Sequence, residues 1–129
     1  MKDKSKSIIK TIPAIVFGII IFILSSFEYK LPSGPPGTYR AILLLLILHI
    51  GEFGLFSMLL MYGFYPKIKI YFLILISILY GVLDEIHQGF VPTRYFDILD
   101  IICDSIGTIL GVVGFFILIK IIKILRKNV

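Results

Sequence analysis

The chain is expected to fold as an all-α membrane protein: a four-transmembrane-helix bundle with both termini in the cytoplasm. Three observations predict this. First, mean hydropathy is +1.02, and 58% of the 129 residues are apolar while 16% are charged. A soluble domain of this size runs near half apolar and about a quarter charged. Second, four apolar stretches, residues 8–27, 41–64, 70–90 and 98–122, each reach the ~20 residues needed to cross a hydrocarbon core of about 30 Å. Third, the cations alternate in density between the connections. Lys2, Lys4, Lys6 and Lys10 precede the first stretch, Lys67 and Lys69 join the second to the third, and Lys120, Lys123, Arg126 and Lys127 close the chain. Lys30, Arg40 and Arg94 are left for the other two connections. Cytoplasmic loops carry the excess of Lys and Arg, so both termini and the 65–69 loop are assigned to the cytoplasm. The 28–40 and 91–97 connections are assigned to the outer face of the cell membrane. No connection is long enough for a separate domain, so residues 1–129 form one.

The net charge of +5 does not imply nucleic acid. The basic tails flank apolar spans, where anionic lipid headgroups are sufficient partners. A single cysteine, Cys103, excludes an intrachain disulfide and reads as a small buried hydrophobe.

The first span follows a lysine-rich start, as a signal peptide would. It is long for an h-region and has no A-x-A cleavage site, so it is read as retained. It ends near Ser25 and Ser26. The connection that follows, EYKLPSGPPGTYR, holds three prolines and two glycines. It reads as a stiff non-helical turn at the surface, a connector or a lid over a polar site.

The second span carries His49 and Glu52, three residues apart and so on one helical face. At ~1.5 Å per residue from Arg40, Glu52 sits about 18 Å deep. A carboxylate there costs about 2.5–3.5 kcal/mol on insertion scales, so it requires a partner or a proton. The third span places Ser77, Tyr80, Gly81, Asp84, His87 and Gln88 on one face, with Glu85 rotated off it. Pro92 breaks this helix and leaves residues 89–94 as a tight turn. The fourth span has Asp97, Asp100 and Asp104 at i, i+3 and i+7, continued by Gly107, Thr108 and Gly111. Gly107-x-x-x-Gly111 lets a neighbouring backbone approach closely, and is read as packing inside the bundle rather than as a dimer face. A homo-oligomer is left open.

Six of the eight acidic residues are thus placed at or near membrane depth: Glu52, Asp84, Glu85, Asp97, Asp100 and Asp104. Intramembrane ionisable residues mark functional sites by default. Three helices each present a polar stripe, which predicts a polar pocket built from His49, Glu52, Asp84, Glu85, Gln88, Arg94, Asp97, Asp100 and Asp104. Six negative charges against Arg94 are untenable in a low dielectric. Protonation, bridging by Arg94, a cationic ligand or a bound divalent cation would resolve this. Oxygen-rich Asp84, Glu85, Asp97, Asp100 and Asp104 suit Mg²⁺ or Ca²⁺. His49-x-x-Glu52 and Asp84-x-x-His87 resemble carboxylate–His pairs of metal-binding bundles but supply few ligands. There is no G-x-S-x-G, P-loop or H-E-x-x-H, so nucleophilic hydrolysis has little support.

The run Asp84-Glu85-Ile86-His87-Gln88-Gly89-Phe90-Val91-Pro92-Thr93-Arg94, followed by Asp97, Asp100 and Gly107-x-x-x-Gly111, resembles the VanZ-like family. That family's pattern is D-E-x-x-Q-x-F-x-P-x-R, then an aspartate pair and a glycine-bearing helix. His49-x-x-Glu52-Phe53 resembles its H-x-x-E-[YF] motif, and Ser26 fits loosely. The likeness covers roughly residues 25–115. One position departs from it: Asp104 stands where many members have Asn; His87 falls at a variable position. The resemblance implies a small bacterial four-span envelope protein, in a family named from a protein of glycopeptide (teicoplanin) antibiotic resistance.

Three functional readings stay open. In the first, the pocket binds the headgroup of an outer-leaflet lipid or a lipid-linked cell-wall intermediate. Arg94 would contact a phosphate or carboxylate, and Gln88, His49 and Glu52 would orient it. In the second, the chain is a divalent-metal-dependent enzyme acting on a lipid phosphate or glycolipid, with His49 or Glu52 as acid/base. In the third, it is an ion-coupled transport component.

Overall fold

The computed structural model describes residues 2–27 and 38–127, with side chains at 8–27 and 43–127. Four helices follow one another: α1 (Lys2–Ser25), α2 (Thr38–Phe64), α3 (Ile70–Gln88) and α4 (Ile98–Lys127). No strand occurs among the described residues. Each helix contains a stretch long and apolar enough to cross a membrane: Ile8–Ser25, Leu43–Phe64, Ile70–Gln88 and Ile98–Lys127. The four-span, all-helical expectation is met.

The boundaries have simple causes. α1 stops at Ser25, whose hydroxyl, like that of Ser26, turns back to the Phe22 carbonyl. Such local bonds compete with helix continuation. α2 begins at Thr38, three residues before the expected start, directly after the Pro-Gly-rich segment. The proposed turn or lid over 28–37, with Lys30, lies outside the described residues. α3 ends four residues before Pro92, as the proline requires. Asp97 caps α4: its Oδ1 accepts the Leu99 backbone N–H at 2.8 Å. This is an N-cap bond that satisfies an otherwise orphaned donor. Asp97 therefore precedes α4 instead of forming its first stripe position, and it is exposed. A cap and a first-turn residue look alike in a periodic pattern, so the i, i+3 spacing alone does not separate them.

The surface is inverted relative to a soluble protein. Ile19, Leu48, Leu83, Ile98 and Leu110 are among many large apolar side chains half exposed or more. Ser77, Glu85, Asp104 and Thr108 are fully buried. That distribution suits a surface solvated by lipid.

α2 packs most extensively against α4, and glycine makes this possible. A Cβ on Gly107 would collide with the Ile50 carbonyl, and one on Gly111 with the Gly54 carbonyl and the Ser57 hydroxyl. The G-x-x-x-G pair thus seats α4 against the backbone of α2 inside the bundle. Ser57 donates to the Thr108 carbonyl at 3.0 Å, and the Ser77 and Thr108 hydroxyls pair at 2.8 Å, tying α2, α3 and α4 together. Two apolar clusters flank this layer. Ala14, Ile21, Phe53, Phe56 and Leu60 join α1 to α2. Met61, Leu73, Val112 and Phe115 join α2, α3 and α4 toward the 65–69 turn.

Candidate functional site

The antiparallel order brings the C-terminal ends of α1 and α3 beside the N-terminal part of α4, at the end of the bundle far from both termini. Here the described residues bound a cavity of about 940 Å³. Its apolar wall includes Ile21, Leu24, Leu45, Leu48 and Leu55. His49, Glu52, Asp84, Gln88, Arg94 and Asp100 give it a polar side, joined at the rim by Asp97. Leu24, Leu48 and Leu55 are near half exposed, so the cavity is reached from the molecular surface.

His49 is the hub. Its Nδ1 lies 2.9 Å from Asp104 Oδ1 and its Nε2 lies 3.6 Å from Asp100 Oδ2. One turn of α4 separates the two aspartates, so a single imidazole on α2 meets both. Glu85 comes to the same place from α3. Ligand atoms of His49, Glu85 and Asp104 all lie within 4.8 Å of one another. Its Oε2 accepts the Asp97 backbone N–H at 3.0 Å, which ties the end of α3 to the start of α4.

This position of Glu85 departs from the sequence expectation. The buried face of α3 is Ser77, Gly81, Asp84, Glu85 and Gln88. His87 and Tyr80 flank it on the other side, where they meet α1. The His87 ring stacks on Phe22 with centroids 4.4 Å apart and pairs with Ser26 Oγ at 2.9 Å. The Tyr80 hydroxyl donates to the Gly18 carbonyl at 2.6 Å. α3 is wedged between α1 and α4, so its non-lipid arc is wider than one stripe. The expected face was centred too far toward α1. Asp84 and His87 consequently form no metal-like pair: Asp84 Oδ2 instead accepts the Gln88 side-chain amide at 2.7 Å.

Arg94 lines the cavity and donates to the Ser25 carbonyl at 3.3 Å. Ser25 was not singled out in the sequence, although the last carbonyls of any helix lack intrahelical partners and seek donors. Thr93, also on the lining, has φ 70°. That left-handed conformation is uncommon for a β-branched residue. It aims the 91–94 turn, in which Arg94 N–H bonds the Val91 carbonyl.

The pocket residues therefore fall into two levels. His49, Glu52, Asp84, Gln88, Arg94, Asp97 and Asp100 line the cavity. Glu85 and Asp104 lie beneath it, reached through His49. His49 and Glu52 of the H-x-x-E motif, Asp84, Gln88 and Arg94 of the D-E-x-x-Q-x-F-x-P-x-R run, and Asp97 and Asp100 line one cavity. The model of the VanZ/LLP1 family matches residues 4–120. The chain belongs to the VanZ/LLP1 family. No curated protein and no solved structure gives a significant match. As a VanZ/LLP1 member with four apolar helices, the chain is a multi-pass membrane protein. The VanZ/LLP1 match runs through all four helices.

Proposed function

We propose that this VanZ/LLP1 protein is a bacterial envelope protein whose cavity holds the headgroup of an outer-leaflet lipid or a lipid-linked cell-wall intermediate. Both termini lie in the cytoplasm, and the cavity faces outward. The cavity itself carries this reading. It is about 940 Å³, at the upper end for small-molecule sites, and its wall is amphipathic. Leucines and isoleucines of α1 and α2 offer a track for acyl or prenyl carbons. Gln88 and Arg94 offer donors for a phosphate or carboxylate, and His49 and Glu52 orient hydroxyl or amide groups. Arg suits this task because its planar fork bonds phosphate or carboxylate bidentately. Occupancy of such a pocket by cell-wall lipid or by an acylated glycopeptide is a route to glycopeptide tolerance. The basic tails rest on anionic headgroups of the inner leaflet.

The test is mass spectrometry of lipids retained by protein purified in mild detergent. One lipid class should be enriched over the bulk membrane and should fall away in Arg94→Ala and Gln88→Leu. A folded wild-type protein that retains only the bulk lipid pattern, unaltered by those substitutions, would overturn the reading.

A further inference from the structure

Two carboxyl groups are buried beneath the cavity with half of their bonding capacity unused. Glu85 and Asp104 are 0% and 1% exposed. Among the described residues, Glu85 Oε1 and Asp104 Oδ2, like Asp84 Oδ1 on the cavity lining, have no hydrogen-bond partner. A buried polar atom without a partner is destabilising, and more so when it is charged. A single proton on one of the two neutralises one charge and supplies one donor, leaving the other carboxylate charged. A cation shared by the two carboxylates supplies a partner to both groups and balances their charge together. The third group present is an imidazole. His49, Glu85 and Asp104 offer ligand atoms mutually within 4.8 Å, from three different helices.

We propose that His49, Glu85 and Asp104 bind one first-row divalent transition-metal ion, of the Mn²⁺ or Zn²⁺ class. The nitrogen donor decides the class. Mg²⁺ and Ca²⁺ prefer oxygen ligands, whereas imidazole with carboxylates suits Mn²⁺, Fe²⁺ and Zn²⁺. This differs from the all-oxygen set expected from sequence, because Asp97 serves as a helix cap and His49 stands among the carboxylates. His49 also faces an aspartate from each ring nitrogen. One nitrogen serves the ion while the other donates to a carboxylate, the support that metal-bound histidines commonly have. Asp100 Oδ2, 3.6 Å from Nε2, stands beside that second nitrogen on the cavity side.

The ion would neutralise the acidic base of the cavity and so permit an anionic headgroup above it. Metal binding itself does not rest on the lipid reading, and the two fail separately. Lipid retention is read by mass spectrometry, and the metal by elemental analysis.

The experiment uses full-length protein extracted in mild detergent without chelator. Elemental analysis should find close to one Mn or Zn per chain. After EDTA treatment, MnCl2 or ZnCl2 should raise the thermal unfolding midpoint by several degrees, and MgCl2 at the same concentration should not. Glu85→Gln and Asp104→Asn should abolish both signals, and Asp97→Asn should keep them. Wild-type protein that is folded, carries no transition metal and shows no shift with added Mn²⁺ or Zn²⁺ overturns the proposal. So does an ion retained undiminished in Glu85→Gln and Asp104→Asn. Should those variants fail to fold, the wild-type stoichiometry and the Mn²⁺ or Zn²⁺ shift decide it alone.

Discussion

His49 Nδ1 sits 2.9 Å from Asp104 Oδ1, across the glycine-seated contact of α2 and α4. Removing the imidazole strands a carboxyl group that is 1% exposed. Breaking one side of a buried pair typically costs about 3–5 kcal/mol. His49→Ala should therefore destabilise the bundle by roughly 3 kcal/mol, measured by unfolding in detergent or bicelles. A loss under about 1 kcal/mol, the scale of an ordinary interhelical hydrogen bond in membranes, would show that Asp104 finds another partner.

The glycine contact gives a sharper contrast. Gly111→Ala places a methyl against the Gly54 carbonyl, where only backbone movement makes room. Overpacking of this kind costs about 1–3 kcal/mol. Gly114→Ala, three residues on, meets nothing within 4 Å. It should be neutral or stabilising by up to about 1 kcal/mol, since Ala is the better helix former. Equal melting midpoints for the two variants would contradict the close α2–α4 approach.

Asp97 acts mainly through its cap. Asp97→Ala should cost about 1 kcal/mol, and Asp97→Asn or Asp97→Ser close to nothing. Denaturation midpoints would show this, and a much larger loss in Asp97→Asn would assign the charge a role beyond capping.

Arg94 is a cation on the cavity wall. A hydrogen bond to a charged group is worth about 1.5–3 kcal/mol, or roughly 10–100-fold in affinity. Arg94→Ala should reduce lipid retention on that scale. Lys69→Ala, at the opposite end of α3, should leave it unchanged. Parallel losses in the two folded proteins would remove Arg94 from the binding surface.

Orientation has its own readout. A fluorescent protein fused after Val129 should mature, and a cysteine introduced at exposed Pro92 should react with an impermeant maleimide in intact cells. Native Cys103 is buried and should stay silent. Labelling only after lysis would invert the assigned topology.

The helices were legible because apolar run length is a direct consequence of bilayer thickness. The polar residues were legible because each is costly in hydrocarbon. What the pattern did not carry was the azimuth of α3. Glu85 and His87 stand on opposite flanks of the same arc, and which flank meets acid and which meets α1 depends on the neighbours on either side. Asp97 posed a similar problem, since i, i+3 spacing continues smoothly across a helix start. The pairing of His49 with both Asp100 and Asp104 depends on how α2 and α4 are staggered, which periodicity does not encode. The glycines announced that these two helices would touch, but not at which turn.

The backbone contact at Gly107 and Gly111 divides the bundle into unequal halves. α2 and α4 form a spine whose two chains cannot slide without collision. α1 meets α3 through a few polar bridges, from Tyr80 to Gly18 and from His87 to Ser26, and meets the turn through Arg94 to Ser25. Individual bonds of that kind open at modest energy. The acidic residues of α2 and α4 thus stand on a fixed backbone, whereas the α1 wall of the cavity is held by side chains alone, its apolar seam to α2 and these polar bridges.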